Sequence, residues 1–171
     1  YPRTPDLEWM TTADHEAIWI AFQASGLVCN LQVTPPNYPH LLELARRYPT
    51  TKFVMNHFGL PKGAGIKPED SDFGGLKAAG NLDNVFVKVS AYYSVADTAW
   101  DFRCPKALAY LYALRDLLGA DRLMFGSDWP PAGRQLTYRQ IVEIVRTEAT
   151  NMSDHERSAI LGETAVKVYG V

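Results

Sequence analysis

KFVMNHF, residues 52–58, has an apolar centre, Phe53-Val54-Met55, that shows no alternation and breaks off into Asn56 and His57. A short apolar run of this kind reads as a strand covered on both faces. Pro49 stops the helix before it, and Gly59 opens a loop after it.

Outward from this stretch the same unit recurs. Upstream, Leu41, Leu44, Ala45 and Tyr48 share a helical face, and before them LVCNLQV, residues 27–33, lies between Gly26 and Pro35-Pro36 and reads as a strand. A first helix opens near Thr11 and Thr12, with Asp14 and His15 early and Ile18, Ala21 and Phe22 at helical spacing. Downstream come a flexible loop at 59–65 and a less periodic helix over about 69–79. NVFVKVS, residues 84–90, is the third strand. Pro105 opens a helix carrying Leu108, Leu111, Tyr112, Arg115 and Leu118, which Gly119 closes. RLMF, residues 122–125, is the fourth strand and runs into GSDWPP. Thr137 with Gln140, and Ser153 with Glu156, have capping-box spacing before two more helices. The order α-βα-βα-βα-βα-α predicts an α/β fold: one domain over 1–171 with a parallel sheet and helical crossovers.

Composition narrows the function. The chain has 171 residues, 47% hydrophobic and 21% charged, with 17 basic and 19 acidic residues. Neither the charge balance nor any basic stripe predicts a nucleic-acid partner. No apolar run approaches the ~20 residues of a membrane span, and no signal-peptide pattern opens the chain. Cys29 and Cys104 form no C-x-x-C pair, so a reduced, cytoplasmic protein is expected. The opening run YPRTPDLEW has no initiator Met and reads as the inside of a loop, so residues upstream are expected. GLPKGAG, residues 59–65, lacks phosphate-loop spacing.

Parallel α/β folds bind ligands beyond the carboxyl ends of their strands. There the first strand has Asn30, Gln32 and Thr34, the second Asn56 and His57, the third Lys88, Ser90, Tyr92 and Tyr93, and the fourth Ser127, Asp128 and Trp129. Four strand ends carrying polar groups mark one side of the sheet as a site, since such groups are costly in a purely structural core. His57 reads equally as a histidine satisfied by backbone and as a neutral imidazole that binds a metal or a carbonyl oxygen. Asp128 reads equally as a turn cap and as a base for an attacking water. Lys88, inside an apolar strand, needs a partner: a structural ion pair ahead of a substrate contact. Tyr92 and Tyr93 read as rim aromatics or as packing, and Arg134 as a surface arginine ahead of a carboxylate clamp.

KFVMNHFG, NVFVKVSAYY and DRLMFGSDWP, in this order, resemble the last strands of amidohydrolase-related TIM-barrel proteins, and LGETAVKVYG resembles that family's C-terminal helix. The resemblance covers about residues 12–171. It implies a parallel (β/α) barrel of which this chain holds about strands 5–8. It also implies that Asp128 activates the hydrolytic water and binds a metal. His57 would contact the substrate carbonyl or the water. Lys88 and Ser90 match the family's seventh-strand K-x-S. Two departures stand out. The family's opening H-x-H occurs nowhere in the chain, and Asn30 and Gln32 stand where decarboxylases of the family place a metal-binding histidine.

The expectation is therefore a hydrolase that opens a small lactone or related cyclic ester. Asp128 and His57 are its catalytic residues and, if a divalent cation (zinc or manganese) is used, its ligands. Lys88, Tyr92, Trp129, Arg134 and Gln32 border the small-molecule substrate. A metal-dependent decarboxylase of the same family and a non-catalytic half-barrel scaffold are the alternatives. Half a barrel exposes two strand edges, so the missing N-terminal half or a homo-oligomer is the expected partner, and the chain alone is expected to lack a complete site.

Overall fold

The computed structural model describes residues 7–63, 67–96 and 101–171. Four strands, β1 (Cys29–Leu31), β2 (Phe53–Met55), β3 (Val85–Val89) and β4 (Leu123–Phe125), pair in sequence order, all parallel. Each lies inside the stretch that announces it, without the residues at one or both ends of that stretch. The helices are α1 (Glu16–Ser25), α2 (Tyr38–Arg47), α3 (Asp70–Phe73), α4 (Pro105–Leu118), α5 (Tyr138–Glu143), α6 (Asp154–Ser158) and α7 (Thr164–Tyr169). Parallel neighbours need a crossover, and α2, α3 and α4 supply one between each successive pair.

Several local signals act as their chemistry requires. Gly26, at φ 66°, ends α1, Pro105 opens α4, and both capping boxes close, with Thr137 and Ser153 each accepting from the backbone three residues on. The helix expected over 69–79 is only partly there. One α turn at Asp70–Phe73 gives way to a 3-10 stretch, Gly74–Asn81. Gly74 and Gly75 are poor helix formers, and a side chain at Gly75 would press within 3.2 Å of the Tyr38 ring. In α1 the buried residue is Trp19, while Ile18, on the face picked out by spacing, stays 45% exposed. The loop expectations for 1–9 and 59–65 fall partly outside the described residues.

The register separates two faces. Phe53, Met55, Val85, Val87, Val89 and Leu123 point to α1–α4 and form the main core. Asn30, Val54, Phe86, Lys88 and Met124 point the other way. There Val54, Phe86 and Met124 join Val168 of α7 in a second buried cluster. Lys52, just before β2, donates to the carbonyls of Lys167 and Val168, and the Tyr169 hydroxyl donates to Asn30 Oδ1. Thus α7 seals the lower part of this inner face, and the polar residues lie above it. No helix among the described residues is long and apolar enough to cross a membrane.

Candidate active site

Three turns at the carboxyl ends of β2, β3 and β4 build the site. Each uses left-handed backbone at a non-glycine residue: His57 and Phe58 after β2 (φ 53° and 59°), Ala91 after β3 (58°) and Asp128 after β4 (52°). Such residues cost about 1–3 kcal/mol each and persist only where neighbours fix them.

The fixing groups are identifiable. Phe58 is fully buried, edge-on to Tyr92 with ring centroids 5.1 Å apart. The Tyr38 hydroxyl donates to the Gly59 carbonyl at 2.6 Å, and a Cβ on Gly59 would lie 2.8 Å from that hydroxyl, so only glycine fits. His57 is thus held from behind by a core aromatic and a clamped glycine. After β4 the Trp129 amide donates to Ser127 Oγ, and the Ala132 amide to the Asp128 carbonyl, which closes the turn that presents Asp128.

His57 and Asp128 converge. Nε2 of His57 lies 3.8 Å from Oδ1 of Asp128, both side chains about four-fifths buried. That is too long for a direct hydrogen bond, yet one oxygen atom can sit within hydrogen-bonding reach of both. Each group is tethered on its far side. Nδ1 of His57 is 2.8 Å from Ser90 Oγ, and the Tyr93 hydroxyl donates to Asp128 Oδ2 at 2.6 Å. Burial pushes the His57 imidazole to titrate below its ordinary range, Asp128 pulls it back up, and Lys88 adds to the lowering. Lys88 itself donates to Asn30 Oδ1 at 3.3 Å, a neutral partner where a structural ion pair was the leading expectation.

Tyr92 does not lie where a rim residue would. It is 1% exposed, its hydroxyl has no hydrogen-bond partner among the described residues, and burial raises its pKa far above the ordinary phenol value. Strand alternation would group Tyr92 with Lys88 and Ser90. The left-handed Ala91 reverses that phase, sends Tyr92 into the core and brings Tyr93 to Asp128. Trp129 is exposed, its ring edge-on to Tyr138 and over Gly133. Arg134 is exposed beyond it, and Gln32 is half-buried just past β1. Tyr93, Ser90 and Asn30, named at the strand ends but not among the residues given a catalytic or substrate-binding role, thus join the candidate site. Ser90 carried a signal there, the K-x-S spacing with Lys88.

The family model described as amidohydrolase matches residues 1–171. The chain belongs to the amidohydrolase family. L-fucono-1,5-lactonase of Burkholderia multivorans is 29% identical over 157 residues, covering 87% of this chain and 53% of the relative. The enzyme of the same name from Burkholderia ambifaria is 33% identical over 125 residues, 73% of this chain and 42% of the relative. Among solved structures, an amidohydrolase from Burkholderia multivorans with bound HEPES superposes with a TM-score of 0.81 at 28% identity, covering 95% of this chain and 60% of the other. A second structure of that amidohydrolase holds zinc. A candidate 2-pyrone-4,6-dicarboxylic acid hydrolase from Pseudomonas putida superposes at 0.78 with 26% identity, covering 96% of this chain and 59% of that one. This amidohydrolase chain therefore spans about half the length of the relatives it matches, and its four strands are part of a TIM barrel.

Proposed function

We propose that the chain carries the aspartate–histidine side of an active site that opens a small lactone with water. The observation behind it is the meeting of Asp128 and His57 across a gap fit for one oxygen atom. Similarity to two L-fucono-1,5-lactonases supports a sugar lactone as the substrate class.

A water in the gap donates a proton to Asp128 Oδ1, and its oxygen adds to the lactone carbonyl carbon. The carbonyl oxygen becomes an oxyanion, which a donor at His57 Nε2 stabilises. Collapse of the tetrahedral species breaks the ring C–O bond. The leaving alkoxide takes the proton back from Asp128, and the product is a hydroxy acid. Lys88 on β3, Gln32 just past β1, and Trp129 and Arg134 in the segment after β4 would border that product, with Lys88 and Arg134 suited to its carboxylate.

The described residues do not by themselves fit a divalent cation. None of them form a group of three or more His, Cys, Asp or Glu that could hold one, and Asp128 Oδ2 is already engaged by Tyr93. A catalytic zinc takes about three protein ligands, so a zinc or manganese site here needs donors from outside these residues. The natural source is the other half of the barrel, on this polypeptide or on a second subunit, which would also cover the outer edges of β1 and β4. Asn30 and Gln32 at the end of β1 favour ring opening over metal-dependent decarboxylation. Cys29 and Cys104 are unpaired and buried, which supports a reducing, cytoplasmic setting.

The test is acid release from L-fucono-1,5-lactone, followed with a pH indicator above the spontaneous rate, in the whole protein and its Asp128→Asn variant. The reading expects turnover that the variant loses while its circular dichroism is unchanged. A fully active Asp128→Asn enzyme sinks the mechanism, and release of CO2 from a carboxylated substrate would replace the lactone with the decarboxylase reading.

A further inference from the structure

We infer that Ser90 is a positioning residue that locks His57 as the tautomer protonated on Nε2, making His57 a hydrogen-bond donor in the gap. This excludes it there as a base or a metal ligand. The role in catalysis rests on the lactone-opening reading, but the tautomer does not.

Two observations carry it from opposite ends of the imidazole. The first is Ser90, a residue 1% exposed, whose hydroxyl among the described residues bonds only to His57 Nδ1, at 2.8 Å. A hydroxyl has one proton to place. If Nδ1 carried the ring proton, Ser90 would accept, and its own proton would be buried with nothing to receive it, an arrangement that proteins avoid. If Nδ1 is bare, Ser90 donates and both atoms are satisfied. The Ser90 Cβ itself is packed against the residue after β4, since a Cβ on Gly126 would lie 2.9 Å from it.

The second observation lies at the other nitrogen. Nε2 faces Oδ1 of Asp128 at 3.8 Å, while Tyr93 holds Oδ2. A bare Nε2 would turn its lone pair toward a carboxylate oxygen, whereas an N–H turns its positive end there. A neutral imidazole carries a single ring proton, which has to be on one nitrogen or the other. Metal-bound histidines donate their second nitrogen to an acceptor. Here that second nitrogen accepts, which leaves the gap-side nitrogen without a lone pair for a cation.

Long-range proton–nitrogen NMR of the protein labelled with 15N-histidine reads the tautomer directly, without substrate. His57 is assigned among the four histidines by the signal set lost in His57→Gln. Above the titration of His57, the expected spectrum has a protonated, pyrrole-like Nε2 and a bare, pyridine-like Nδ1. In Ser90→Ala the two nitrogens move toward each other as the tautomers mix, and in Ser90→Cys, with a weaker donor in the same place, they move part of the way. A wild-type spectrum with the proton on Nδ1 overturns the inference, and that spectrum decides even if neither variant folds. Unchanged shifts in folded Ser90→Ala overturn the part given to Ser90. Lack of lactone turnover with the expected spectrum would instead count against the proposed reaction alone.

Discussion

Tyr92 and Tyr93 are adjacent, yet removing their hydroxyls should move stability in opposite directions. Tyr93 donates to a carboxylate at 2.6 Å, and hydrogen bonds to charged groups contribute about 1.5–3 kcal/mol. The Asp128 side chain is 18% exposed, so water takes over part of the lost bond and the lower end applies, about 1.5 kcal/mol. In a chain of this length that lowers Tm by about 3–6 °C. The Tyr92 hydroxyl is buried without a partner among the described residues, and such a group costs about 1–3 kcal/mol. Tyr92→Phe should therefore be neutral or stabilising by up to about 1 kcal/mol. Both changes keep the ring, so neither opens a cavity. Urea unfolding followed by tryptophan fluorescence gives both values, and turnover should fall in Tyr93→Phe, whose Asp128 loses its tether, but not in Tyr92→Phe. Equal stabilities, or a destabilised Tyr92→Phe beside a neutral Tyr93→Phe, would refute the claim that Ala91 reverses the phase of the strand.

Gly126→Ala places a methyl 2.9 Å from Ser90 Cβ and 3.0 Å from the Lys88 stem. The lysine can swing aside, but Ser90 Cβ is fixed to its strand. Overpacking of about 1–3 kcal/mol should appear in urea unfolding, with a change in the His57 NMR signals. His57 also makes stability depend on pH. Its pKa is lowered on folding, so the unfolded chain binds the proton more readily and stability rises with pH across that window. The contribution is whole above the ordinary histidine pKa of about 6.5 and fades as pH falls through the lower folded value. The wild-type urea midpoint should therefore drop more from pH 7.5 to pH 5 than that of His57→Gln, and parallel drops would contradict the burial argument.

The parts of the fold that were legible in the sequence are those in which one residue type does one local job. Pro105, Gly26 and the Thr137 and Ser153 boxes mark helix ends through backbone chemistry within a few residues. The four apolar runs mark strands because both faces of the sheet are covered. His57 and Asp128 were picked out as candidates by asking what ends each strand, and Lys88 by its charge inside an apolar one. Tyr93 was harder to read because its place depends on a left-handed alanine, and alanine gives no warning of positive φ as glycine or asparagine would. The exposure of Ile18 and the break at Gly74 were equally hidden, since both depend on neighbours distant in sequence. Asn30 stood out as polar, but its bond to Tyr169 links residues 139 positions apart.

The covering of the inner face by α7 has a consequence for how the chain is made. β4 ends at Phe125 and α7 begins at Thr164. At translation speeds of about 5–20 residues per second, the ribosome takes roughly 2–8 s to pass from one to the other. Throughout that interval Val54, Phe86 and Met124 have been synthesised without the helix that buries them. The nascent sheet therefore carries a sticky apolar stripe during a fixed window of synthesis, which is the period in which a chaperone has most to bind and a neighbouring nascent chain most to stick to.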